Sequence, residues 1–102
     1  MGWYLTLING RNFRLDFDGK VGRYGFYQTV LVQAADLAEA ETNAIAIVKG
    51  DEELQELVKN EQSDPPMLCM DSYQELDASE IPPAPEGRTY YPEKSWWQFW
   101  RR

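Results

Sequence analysis

The side chains in this chain that could do chemistry are nearly all carboxylates. Seventeen Asp and Glu stand against ten Lys and Arg, for a formal charge of -7, and histidine is absent. Without histidine the commonest general base and the commonest metal ligand are both missing. A single cysteine, Cys69, excludes an internal disulfide and any cysteine-cluster metal site within one chain. It alternates into a strand-like run and is expected to be a buried, inert thiol. The acid pairs Asp16/Asp18 and Asp51/Glu52 do not follow the EF-hand spacing and read as turn and helix-start acids. Gly22-Arg23-Tyr24-Gly25 lacks the lysine of a phosphate loop and precedes a strand instead of opening a helix. The expectation is therefore a protein that is not an enzyme, with no metal and no cofactor.

What remains is binding, and three groups of residues suit it. Trp96, Trp97 and Trp100 crowd the C-terminal end, with Phe99 between them and Arg101 and Arg102 after them. Such aromatics either complete a core by covering a sheet face or anchor a partner protein. Two arginines make a weak electrostatic anchor for a lipid surface, so membrane contact is not expected. Second, charge is unevenly distributed. Residues 1–35 carry net +2, residues 36–86 net -12, and residues 87–102 net +3. The acidic middle suits a basic partner, with Glu52, Glu53 and Glu56 as candidate contacts. It opposes phosphate-backbone binding, and no RNA-binding aromatic motif accompanies Arg11, Arg14, Lys20 and Arg23, so nucleic acid is not an expected partner. Third, Arg23, Tyr24, Tyr27, Arg88 and Tyr90 could line a cleft for a small ligand between a sheet and the tail.

These groups need elements to position them. Alternation of apolar and polar residues predicts strands over 3–8, 13–17, 24–33 and 67–73. Asn9-Gly10 reads as the hairpin turn between the first two and Asp18-Gly19 as the start of the next connection. In the fourth run Met67, Cys69, Asp71 and Tyr73 would share one face. Asp36, with Glu39 three residues on, predicts a helix start, and Lys49-Gly50 its end. Asp51, Glu52 and Glu53 open either a second, shorter helix or a kinked continuation of the first. Residues 81–87 are proline-rich and predict an extended segment.

The expected fold is α+β: one mostly antiparallel four-stranded sheet with helices on one face. Residues 1–80 form the domain, and residues 81–102 an extended aromatic tail packed on it. The middle of the chain resembles the strand–helix–strand half of ferredoxin-like domains. No apolar run is long enough to span a membrane and no signal-like start is present, so a cytoplasmic protein is expected. The functional expectation is a small interaction module, in its specific form an acidic inhibitor or immunity-type protein for a basic partner, with a homodimer through the open sheet face as one version. A small-ligand-binding regulatory domain is the alternative.

Overall fold

The computed structural model describes residues 2–81 and 87–93. Its frame is a long antiparallel hairpin of β1 (Gly2–Phe17) and β2 (Lys20–Ala34). Helices α1 (Leu37–Lys49) and α2 (Glu52–Leu57) follow, then β3 (Met67–Leu76), a short 3-10 turn at Ala78–Glu80, and β4 (Gly87–Pro92). The sheet order is β3-β1-β2-β4, and every hydrogen-bonded pair is antiparallel. The strands that flank the helices, β2 and β3, run in the same direction with β1 between them. The domain is thus an α+β fold with one four-stranded antiparallel sheet and its helices packed on one face.

Two strands are not where the sequence pattern placed them. Asn9-Gly10 is no turn: β1 runs through it, and the hairpin turns at Asp18-Gly19, where φ is +56° and +83°. Both values suit a tight turn that matches the twist of its strands. Gly10 has a different use. A Cβ there would lie 2.4 Å from the Phe26 ring, which packs flat against the bare backbone. The pairing register shifts between Gly10 and Phe13, with Asn12 at φ +58°. This bulge moves the inward positions from Tyr4, Thr6 and Ile8 to Phe13 and Leu15. That change of parity, beside an Asn-Gly pair, reads as two strands when it is one bent strand. The fourth strand is β4, inside the segment expected to be an extended tail; its pairing with β2 from Thr29 to Tyr24 makes it part of the sheet. Pro92 ends it, as suits an edge strand.

The helices follow the caps. Asp36 accepts from the Glu39 amide at 2.8 Å, and Glu39 reaches back to the Ala35 amide. Gly50 closes α1, and Asp51 opens α2 by accepting from the Leu54 amide at 3.0 Å, so the helical region is two helices. The small side chains Ala40 and Ala44, with Val48, let α1 lie close on the sheet, where they are buried with Ile8, Phe26, Val30 and Val32. Beyond α2 the chain runs along the outer edge of β1. Lys59 donates its amide to the Arg14 carbonyl at 2.7 Å, and Asn60 and Asp64 hold the bulge residue Asn12.

Candidate interaction site

The alternation of β2 sorts the candidate residues onto two faces. Tyr24, Phe26 and Gln28 point to the helices, whereas Arg23, Gly25, Tyr27 and Leu31 point away. The five residues suggested as a ligand cluster are therefore divided. Tyr24, Arg88 and Tyr90 lie on the helix side; Arg23 and Tyr27 lie on the open side.

On the helix side Arg88 is a clamp that uses three of its five N–H donors. It donates Nε to Gln28 Oε1 at 2.7 Å, Nη1 to the Tyr90 hydroxyl at 3.0 Å and Nη2 to Asp51 Oδ2 at 2.9 Å. Its guanidinium also sits 5.4 Å from the centroid of the Phe26 ring. The arrangement ties β4 to the start of α2. The Leu54 amide, and then Arg88, hold the Asp51 carboxyl below its ordinary value. Burial works against the Arg88 charge, but Tyr90 and Asp51 outweigh it and raise its pKa. Tyr24 and Tyr90 both pack edge-on against Phe17, at 5.0 and 5.4 Å between centroids. These three residues tie β4 to the fold, and Arg88 uses three of its five N–H donors within it.

Across α2 from the clamp lies an apolar cavity of about 490 Å³. Phe13, Ile45, Leu54, Val58, Pro66 and Leu68 line it, with Lys49 and Gln55 at its rim. Glu52, Glu53 and Glu56 are exposed on the remaining surface of the same short helix. Among the described residues the ion pairs are Arg14–Asp64 and Arg88–Asp51, so none of these three glutamates is paired. The helix side thus presents an apolar hollow next to unneutralised negative charge.

Among the described residues the open side carries no helix. Trp3, Leu5, Leu7 and Leu31 form a half-exposed apolar stripe towards the chain start. Further along, the Tyr27 and Tyr91 rings lie 5.7 Å apart, and Tyr91 covers Gly25. Asn9 is buried beneath them; its amide donates to the Phe26 carbonyl and the Tyr91 hydroxyl, and its Oδ1 accepts from Arg11 Nε at 2.7 Å. Arg14 and Arg23 stand directly opposite each other on this face. Cys69 is exposed here, opposite Asn9, and not buried as its strand position suggested. β3 is an edge strand and Cys69 lies on its open face; a register shift near Asp71 sends Tyr73 to the opposite, helix side with Tyr4. Trp96, Trp97 and Trp100 lie outside the described residues.

The cavity, the Asp51–Arg88 clamp and the Asn9 cluster were not anticipated. Each joins residues more than thirty positions apart or depends on the β1 bulge, so local spacing carries no sign of them. Among the described residues no three His, Cys, Asp or Glu are placed to hold a metal ion, and no helix is long and apolar enough to cross a membrane. Comparison with protein-family models, with curated proteins and with solved structures finds no match.

Proposed function

We propose that this chain is a non-catalytic interaction module that receives a basic protein partner on its α2 side, in the manner of an inhibitor covering a basic site. The supporting observation is the set of exposed glutamates Glu52, Glu53 and Glu56, unpaired among the described residues, beside the apolar cavity. An interface generally combines an apolar centre with a charged, wet rim, and this side offers both. Complementary charge would steer the encounter, while the cavity would take an apolar anchor or the stem of a partner's Arg or Lys.

The test is capture of partners at low ionic strength by the wild-type chain and by a Glu52→Gln/Glu53→Gln/Glu56→Gln variant. A basic protein retained by the first, weakened by salt and lost by the second, is the expected result. Equal retention by both, or no basic protein retained, removes the reading. The cavity also favours a second reading, a small-ligand-binding regulatory domain, because its volume and apolar lining fall within the range of ligand sites. Lys49 at the rim suits an apolar carboxylate. A thermal-shift series of medium-chain carboxylates should then raise Tm for the wild type and less so for Lys49→Gln.

A further inference from the structure

We infer that the open face of the sheet is an intramolecular docking surface whose occupant is this chain's own segment 94–102. Three observations point there. The first is where the described chain ends. Glu93 follows β4 on the open side; its amide donates to the Arg23 carbonyl at 3.0 Å, and its Oε2 accepts from the Asn12 amide at 3.0 Å. The chain therefore leaves at the β4 edge of the sheet, with the Glu93 side chain reaching across β2 towards β1.

The second is reach and composition. Nine residues follow Glu93, among them Trp96, Trp97, Phe99 and Trp100. From Arg23 to Tyr27 along β2 is four residues, about 13 Å at strand rise. Nine residues of extended chain span up to about 30 Å, enough to turn back and run from Arg23 past Tyr27 to Thr29, the pairing partner of Leu7. The surface it would cover is apolar and aromatic: Tyr27, Tyr91 and Leu7. Arg101 and Arg102 would be drawn by charge to the acidic helix side, but exposed ion pairs contribute little next to the burial of several large aromatics.

The third is an orphaned atom. Asp16 Oδ1, on the open face, is shut off from solvent and has no hydrogen-bond partner among the described residues. A buried carboxylate oxygen without a donor is costly. A covering segment that begins with Lys94 supplies one.

The inference does not depend on the partner proposed for the α2 side. It is tested on the full chain, using Cys69 as a single, exposed attachment point in the row Cys69–Asn9–Tyr27–Thr89. A nitroxide on Cys69 should broaden the indole N–H signals of Trp96, Trp97 and Trp100 several-fold in nitrogen-15-labelled protein. Tyr27→Asp should restore those signals, while the Leu7 and Gly25 amides stay broadened and report that the sheet is intact. Indole signals that are sharp in the labelled wild type, or that Tyr27→Asp leaves broadened, overturn the inference. So does broadening that arises only when spin-labelled, unenriched chains are mixed with enriched, unlabelled ones, because the face is then occupied by a second copy.

Discussion

Phe26 and Tyr27 are neighbours in β2, yet Phe26 is fully buried and Tyr27 is 39% exposed. Phe26 packs on Gly10, on Phe13 at 5.0 Å between centroids and on Tyr90 at 5.8 Å, and Arg88 lies over its ring. Among the described residues Tyr27 has one aromatic neighbour, Tyr91, on a face without a helix. The same contrast runs along the whole strand. Helix-side positions are closed by α1 and by the Arg88 clamp; open-side positions hold half-exposed leucines and two opposed arginines. The comparison teaches that, among the described residues, packing is dense on one side of the sheet and sparse on the other.

The largest expected effect tests that asymmetry directly. Phe26→Ala should cost about 3–5 kcal/mol, the range for a large buried aromatic whose site cannot collapse. Leu5→Ala on the open stripe should cost about 1 kcal/mol, because the leucine is only partly withdrawn from water. Urea unfolding of the two variants measures both. Equal losses would mean that the open stripe is as tightly packed as the helix side, and the contrast would fail.

A sharper version uses two glycines. A Cβ on Gly10 would meet the Phe26 ring at 2.4 Å, and one on Gly25 would meet the end of the Tyr91 ring at 2.3 Å. The overlaps are equal, but Phe26 is enclosed by the core and Tyr91 can swing outward. Gly10→Ala should therefore cost about 1–3 kcal/mol, the range for overpacking a core, and Gly25→Ala less than about 1 kcal/mol. A Gly25→Ala loss as large as that of Gly10→Ala would show that Tyr91 is pinned from above.

How far these faces are legible in the sequence depends on the range of each signal. The alternation of β2, the Asp36 cap and the break at Gly50-Asp51 are local, and each holds in the structure. Asn9-Gly10 has the residue types of a hairpin turn, but Gly10 is required by the Phe26 ring sixteen positions away in the paired strand, and Asn9 by Tyr91. β4 is six residues long and flanked by prolines, so its alternation is too short to stand out. The register shift near Asp71 exchanges the faces of Cys69 and Tyr73, and nothing in that run of residues announces it. At the candidate site, Glu52, Glu53 and Glu56 were legible as charge. The cavity beside them was not, because its lining comes from β1, α1, α2 and β3 together.

The helix side also carries a pH dependence. Asp51 is held below its ordinary value of 3.8 by the Leu54 amide first and by Arg88 after it. A carboxylate depressed in the folded state contributes stability that is fully present above the unfolded value and is lost as pH falls through the folded one. Asp51→Asn keeps an N-cap acceptor but loses the charge that faces Arg88. It should cost about 1 kcal/mol at pH 7, since the pair is only partly shielded from water, and the gap to wild type should begin to narrow as pH falls below about 3.8. A gap that stays constant down to pH 2.5 would assign the loss to geometry and remove charge pairing from the clamp.

The smallest effect belongs to the open face. Arg14 and Arg23 stand opposite each other across β1 and β2, and like charges in that position repel. Asp64 lies 3.7 Å from Arg14 at the strand edge, which relieves only one of the two. Arg23→Glu turns the repulsion into attraction and should stabilise the fold by about 0.5 kcal/mol at low salt. The gain should fade as ionic strength rises, because both side chains are exposed and screened. A loss of stability at low salt would carry the opposite meaning. It would show that the two arginines act together on an anionic group laid over this face, and that the open side is closed by charge as the helix side is closed by packing.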